Sequence, residues 1–436
     1  MHLFHDALVS FAERRVISMN RMKLGEILSV KHGWAFKGEY FAEDGEQSIL
    51  TPGNFFEKGG FKPNNGKERY YTGTYPKEYL CHKGDLIVAM TQQAEGLLGS
   101  TALVPENNKY LHNQRIGLIT CDEKRLNKLF AYYLFMTKSV REQLERSSSG
   151  TKVKHTSPEK IYDVEVEIPD VISQQKIANL LWAIDEKIAN NKAINDNLEQ
   201  QLMLLYDYWF TQFDFPDNDG NPYQTSGGKM VWNDTLKRNI PENWKVQSVI
   251  SNCLSSIIKP GVEIFNTKTY LATADVKGTS ISTGTIVDYD GRESRANMQP
   301  SINSVWFAKM KNSIKHLYLN KEMQPIISSC ILSTGFCGLQ CNEISFEYIA
   351  SYVSNAYFEI HKDMLAHGAT QEAVNNDDLA GVHIIIPEDT VLRAYHEATQ
   401  AIYAQISKNI CENQELVKLR DWLLPMLMNG QATISD

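Results

Sequence analysis

The stretch "AIDEKIANNKAINDNLEQQLMLL" at 183–205 decides how this chain is read. Around it, apolar residues and asparagines recur at spacings of four and three: Ile177, Leu181, Ile184, Ile188, Asn191, Asn195, Leu198, Leu202, Leu205 and Trp209. That pattern is the seam of a coiled-coil helix. A second stretch, "AIYAQISKNICENQELVKLRDWLL" at 401–424, aligns on the first without gaps at an offset of 218. Ala183, Ile184, Ile188, Asn191, Asn195 and Leu198 meet Ala401, Ile402, Ile406, Asn409, Asn413 and Leu416. Carried along the whole seam, the offset adds Tyr395, Thr399, Arg420, Leu423 and Leu427, so the second seam keeps the register but is less apolar. The spacing predicts two helices of about 38 residues, each nearly ~60 Å long at ~1.5 Å per residue. Ser173 is placed to cap the first and Gly430 to end the second.

If the helices pair antiparallel, residues whose numbers sum to 604 face each other: Asn191 with Asn413, Asn195 with Asn409, Ile177 with Leu427, Ile188 with Leu416. Buried asparagines at a seam cost stability but fix register and orientation. The reading is therefore an intramolecular antiparallel coiled coil locked by these asparagines, the alternative being that they sit at an exposed edge.

The same offset reaches upstream of the helices. "GTKVKHTSPEKIYDVEVEIPD" at 150–170 and "GATQEAVNNDDLAGVHIIIPE" at 368–388 share few letters, yet each runs from a glycine through a polar turn into alternating apolar residues and an Ile-Pro-acid. Such alternation reads as a strand. The repeat unit is thus a variable region, a turn-and-strand segment and a long helix. The fold class expected is α+β, with two globular domains joined by two long antiparallel helices. The expected divisions are an N-terminal extension at 1–21, a first domain at 22–170, its helix at 171–212, a linker at 213–242, a second domain at 243–388, its helix at 389–430 and a tail at 431–436.

Composition narrows the function. A chain of 436 residues with 42% hydrophobic and 22% charged residues has the make-up of a multidomain globular protein. No apolar run approaches the ~18 residues of a membrane span, and the N-terminal "MHLFHDALVSFAERRVISM" lacks the order of a signal peptide, so the expected location is cytoplasmic. The seven cysteines are odd in number and scattered, and Cys330, Cys337 and Cys341 with His361 and His367 match no zinc spacing, which points to reduced structural thiols and no metal. Net charge is −8, unlike a free-standing DNA-binding protein, but local charge differs. Six Lys/Arg and one acid lie between Arg292 and Lys321, and "FEKGGFKPNNGKERYYTGTYPK" at 56–77 interleaves basic and aromatic residues. No phosphate loop, H-E-x-x-H, G-x-S-x-G or Asn/Asp-Pro-Pro-aromatic amino-methyltransferase signature occurs, so the chain is expected not to be an enzyme on its own.

The two long repeats, "FDFPDNDGNPYQTSGGKMVWNDTLKRNIPENW" at 213–244, "SRANMQPSINSVWFAKMKNS" at 294–313 and "GATQEAVNNDDL" at 368–379 resemble the specificity subunit of type I restriction-modification systems. The resemblance covers nearly the whole chain apart from 1–21. It implies that each variable domain is a target recognition domain for one half of a bipartite, asymmetric double-stranded DNA site. It further implies helices that set the gap and dock two methyltransferase subunits carrying S-adenosylmethionine. Restriction/translocase subunits using ATP with Mg2+ would join them, with no cofactor in this chain. Its readers are then Lys37, Gln92, Gln93, Gln114, Arg115, Thr151, Lys152, Lys154 and His155 in the first domain, and Arg292, Arg295, Lys309, Lys311, Lys315, Thr370 and Gln371 in the second. Trp34, Phe36 and Trp306 are expected in cores. The alternatives are a specificity module of a related methylation or phage-defence system and, in another class, a coiled-coil scaffold that binds proteins.

Overall fold

The computed structural model describes residues 18–64, 66–150, 153–369 and 371–434. The chain divides into two compact units, residues 1–186 with 418–436 and residues 187–417, each described by itself. The helices Val171–Tyr206 and Asp389–Met428 contribute a part to both.

In the first unit, strand Asn20–Lys23 pairs antiparallel with Glu165–Ile168, which ties the start of the domain to its end. Val166 and Ile168 point inward and Glu165 and Glu167 outward, as the alternation predicts. The division expected after residue 21 falls inside this pairing, since Asn20 and Arg21 already face Ile168 and Glu167. A four-stranded antiparallel sheet follows, in the order Leu28–His32, Ile116–Cys121, Leu86–Ala89, Thr101–Leu103. A second sheet of short strands runs Phe41–Ala42, Tyr70–Tyr71, Ser48–Ile49, Tyr110–Leu111, its last pair parallel. Leu86–Ala89 is completely buried, which suits an unbroken apolar run in a central strand.

The second unit repeats this plan. Lys245–Ser248 pairs antiparallel with His383–Ile386. One sheet runs Ser255–Ile257, Phe336–Cys341, Ser304–Ala308, His316–Leu319, and the other Thr285–Val287, Lys268–Leu271, Cys330–Ser333, Ala296–Met298, with Lys268–Leu271 and Cys330–Ser333 parallel. The first of these sheets has the strand order of its counterpart in the first unit. Trp306 is fully buried, its indole N–H donating to Ser304 Oγ at 2.8 Å. Cys330, Cys337 and Cys341 are buried, and burial pushes the Cys337 thiol up to about 12. Among the described residues no group of three or more His, Cys, Asp or Glu is placed to hold a metal ion.

The stretch expected as a linker is folded. Met230–Asn233 and Arg238–Pro241 form a hairpin, and Phe213 and Phe215 are buried, Phe215 stacking on Tyr223 and Trp244 at 4.7 and 4.8 Å. Turn residues dominate its composition, but two aromatics two residues apart carry enough apolar area to join the core.

The helices meet antiparallel in the predicted register. In the second unit Asn191 Nδ2 donates to Asn413 Oδ1 at 3.0 Å and to Glu412 Oε2 at 2.7 Å, while Asn413 Nδ2 reaches the Ile188 carbonyl at 3.4 Å. Asn409 Nδ2 donates to Asn195 Oδ1 at 2.8 Å, and Asn195 Nδ2 to the Ile406 carbonyl at 3.2 Å. Asn191, Asn195 and Asn409 are buried, so these amides sit inside the seam rather than at an exposed edge. In the first unit Ile177, Leu181, Ile184, Leu423 and Leu427 are buried. Arg420, the polar interruption, meets Asp185 at 2.8 Å, and Asp185 also accepts from Tyr133 Oη at 2.6 Å. Thr399, fully buried, satisfies its hydroxyl on the Tyr395 carbonyl at 2.6 Å. Ser173 is not the cap of the first helix. Asp170, just before the first helical residue, accepts from the Ile172 and Ser173 N–H groups at 3.0 and 3.1 Å, and Ser173 Oγ donates to it at 2.8 Å. Gly430, at φ 68°, ends the second helix.

Fully buried seam side chains such as Ile177 and Leu181 each contribute about 1.5–3 kcal/mol; the amides supply register. Asn195→Leu alone leaves Asn409 buried without its partner and should cost about 1–3 kcal/mol. The double change Asn195→Leu, Asn409→Leu should recover most of that loss. A thermodynamic double-mutant cycle checks this; additive losses would mean the two amides are not coupled.

Candidate nucleic-acid interface

The polar turn of each domain is closed by the same backbone bonds. In the first, Ser149 and His155 exchange N–H to carbonyl bonds at 2.9 and 2.8 Å, the Gln92 N–H donates to the Lys154 carbonyl at 2.9 Å, and the Thr156 N–H to the Met90 carbonyl at 2.9 Å. In the second, His367 and Ala373 exchange bonds at 3.2 and 3.0 Å, Lys311 N–H reaches the Glu372 carbonyl at 3.0 Å, and Val374 N–H the Lys309 carbonyl at 3.0 Å. The residues correspond at offsets of 218 or 219. The leading glycines stand at φ +100° (Gly150) and +137° (Gly368), and a Cβ there would collide with the Val153 or the Gln371 carbonyl oxygen. Only glycine fits both demands.

Around this turn the first domain gathers several of the expected readers. Thr91 Oγ1 lies 3.0 Å from His155 Nδ1, the Met90 N–H donates to the Arg115 carbonyl at 3.0 Å, and the Gln114 N–H to the Trp34 carbonyl at 3.1 Å. Gln92, Gln114, Arg115, Lys154 and His155 therefore share one end of the main sheet, with Gln93 exposed beside them. Lys154 is paired with Glu145. Lys37 is exposed ahead of the turn Gly38–Tyr40, on a neighbouring loop. Thr151 and Lys152 lie outside the described residues.

The second domain gathers Arg295, Lys309, Lys311, Lys315 and Gln371. Lys309 N–H donates to the Gly335 carbonyl at 2.9 Å, Thr334 N–H to the Arg295 carbonyl at 2.8 Å, and Ala308 N–H to the Lys315 carbonyl at 3.0 Å. The Lys311 ammonium is 2.8 Å from Glu372, and the Lys315 ammonium donates to the Thr273 carbonyl. Arg292, three residues before Arg295 on the same loop, lies over the Tyr289 ring, 3.9 Å from its centroid. Thr370 lies outside the described residues. Trp34 is half-buried and Phe36 buried in the aromatic cluster of the first domain. The acids Glu145 and Glu372, which hold two of the lysines, were not singled out in the sequence; only their position at the turns marks them.

His112 closes the loop that presents Gln114 and Arg115. Its Nε2 donates to the Ile116 carbonyl at 2.8 Å, and burial, opposed in part by that bond, pulls the imidazole down to about 4.

With this geometry in hand, residues 18–200 match the family described as "Type I restriction modification DNA specificity domain". The chain is 25% identical over 321 residues to the type I restriction enzyme MjaIX specificity subunit of Methanocaldococcus jannaschii, covering 70% of this chain and 69% of that one. It is 23% identical to the HindI specificity subunit of Haemophilus influenzae, covering 69% of this chain and 77% of the relative. The fold matches the crystal structure of the type I restriction-modification S subunit from M. genitalium with a TM-score of 0.53, at 13% identity, over 95% of this chain and 97% of that one. Residues 18–200 thus match a type I DNA specificity domain, and the chain as a whole is similar to type I restriction-modification specificity subunits.

The His112 site predicts a pH dependence. Unfolded, the imidazole takes a proton below its ordinary 6.5; folded, it stays neutral down to about 4. Its contribution to stability is complete above 6.5 and is lost as pH falls towards about 4. Thermal melts across that window should show His112→Gln losing less stability than the native protein; equal losses would mean that His112 does not govern this step.

Proposed function

We propose that this chain is the DNA-reading subunit of a type I restriction-modification complex, each domain reading one half of a bipartite, asymmetric site. The observation that carries this is the twice-built polar turn: one backbone frame, two different sets of side chains. At the first turn Lys154 is held by Glu145; at the second the equivalent position is Glu372, which holds Lys311. A surface that reads the same half-site twice would repeat its side chains, and a scaffold would have no use for lysine, glutamine and histidine gathered at one end of each sheet. Base edges are read by such groups and phosphates by lysine and arginine.

The divisions of the chain fit this reading: recognition domains at about 20–170 and 243–388, and the helices Val171–Tyr206 and Asp389–Met428, which would set the unread gap and dock two methyltransferase subunits. Those subunits would carry S-adenosylmethionine, and restriction/translocase subunits would bring ATP with Mg2+. This chain would contribute recognition and no catalytic group. The acidic total also fits, because partner subunits can close the clamp around the duplex. No helix among the described residues is long and apolar enough to cross a membrane, and a cytoplasmic location follows from the DNA target.

Mapping methylated adenines across the host genome with and without this gene is the first test. The expected result is loss of one split motif; an unchanged methylome would favour the protein-binding scaffold. Within the complex, Lys309→Ala should weaken binding to all sequences alike and reduce the salt dependence by about one charge if it contacts phosphate. A change confined to one base position would instead make it a base reader.

A further inference from the structure

Each recognition domain carries a loop between a central strand of its main sheet and the edge strand beside it, Leu86–Ala89 to Thr101–Leu103 in the first and Ser304–Ala308 to His316–Leu319 in the second, and each loop rests on a helix, the two helices beginning 218 residues apart: Lys138–Ser147 and Ala356–Leu365. In the first domain the support is a single side chain. Arg141 donates from Nε to the Phe135 carbonyl at 2.6 Å, from Nη1 to the Gly96 and Leu98 carbonyls at 2.9 and 2.8 Å, and from Nη2 to the Glu57 carbonyl at 3.2 Å. One guanidinium thus fastens the loop after Gln92 and Gln93 and the turn before the basic stretch Lys58–Lys62. Gly99, at φ +75°, brings the loop onto the helix so closely that a Cβ there would meet the Leu144 Cδ1 methyl at 2.5 Å.

The residue 218 places on from Arg141 is Glu359, and the residue 218 on from Leu98 is His316. They are again in contact, through different chemistry. Glu359 Oε1 lies 2.9 Å from His316 Nε2, and Glu359 Oε2 accepts from Lys362 Nζ at 2.7 Å. Lys362, with no exposed side-chain surface, donates onward to the Ala308 carbonyl at 3.2 Å. Asp363 accepts from the Asn312 N–H at 3.1 Å. The loop that carries Lys309, Lys311 and Lys315 is therefore held at both ends by this helix. Buried charges of this kind are poor sources of stability, since their desolvation offsets most of the attraction. A fork of five fixed donors, or a buried ion pair with its hydrogen bonds, does set loop geometry sharply. The same position is used twice for one purpose, with a cation in one domain and an anion in the other.

We infer that Arg141 and the Glu359–Lys362 pair are positioning residues for specificity, each presetting the reading loop of its own domain and so the base choice of one half-site. This rests on the DNA-reading function proposed above. Neither group need touch DNA; each fixes the backbone from which the readers project. Because the supports are built independently, damage to one should relax one half-site and spare the other.

The test uses the full complex with its methyltransferase partner and a panel of duplexes carrying single base changes in either half of the wild-type motif. The variants are Arg141→Gln, Arg141→Lys, which keeps the charge and stem but loses the fork, and Glu359→Gln with Lys362→Met, which removes both buried charges together. For Arg141→Gln, discrimination against wrong bases should fall by about tenfold in one half-site and stay unchanged in the other. Arg141→Lys should restore part of it, and the double variant in the second domain should relax the opposite half. Unchanged discrimination at both halves, with only a lower melting temperature, would make these groups structural and overturn the inference. Equal relaxation of both halves would overturn it as well. A wild-type complex that prefers no split site would instead defeat the functional reading itself, before any variant is compared.

Discussion

Two amide–amide bonds between antiparallel helices hold the register on which the rest of the second unit is organised. Asn195 with Asn409 and Asn191 with Asn413 meet only if the helix numbers sum to 604. A slip by four residues would bring Asn191 to Asn409, or Asn195 to Asn413, and leave the other two amides without partners, at about 1–3 kcal/mol each. The apolar seam residues would tolerate such a slip far better, since leucine and isoleucine pack against many neighbours. Stability therefore comes from the apolar residues and uniqueness from the polar ones. In the first unit the ion pair of Arg420 with Asp185 sits where the second seam is least apolar. Burial lowers the Arg420 guanidinium, but Asp185 and Asp421 outweigh it and leave it raised above its ordinary value.

The strand that leads into each helix, Glu165–Ile168 or His383–Ile386, is paired with the first strand of its own domain. Each domain thus begins and ends at the foot of a helix, and its polar turn lies upstream of that strand on a frame of backbone bonds. Backbone bonds hold whatever side chains the turn carries. That separation lets the frame stay constant while the letters change, which is what a protein with two unlike half-sites requires.

Much of this was legible in the sequence, for physical reasons. A helix seam repeats every three or four residues and leaves its register in plain view, so the helices, their pairing and their asparagines could all be read. The leading glycines were legible because nothing else tolerates their φ. The sheets of the two domains share a strand order that the letters hide, because any β-branched or aromatic residue fills a buried strand position. Serine is a common cap, but Ser173 is the third residue of the helix, whereas Asp170 stands just before its first residue and reaches two N–H groups. The linker is rich in glycine, proline and asparagine, while the burial of Phe213 and Phe215 depends on their finding Trp244, which lies outside it. Arg141 and Glu359 were invisible as a pair, being opposite in charge; only the offset of 218 connects them.

The central claim is that two domains of one plan read two different half-sites. Selection of duplexes from a fully randomised DNA pool by the purified complex tests it most directly. The account predicts one enriched motif in two unequal parts, separated by a gap of fixed length and free composition. A single uninterrupted motif, a palindrome, or no enrichment would contradict it.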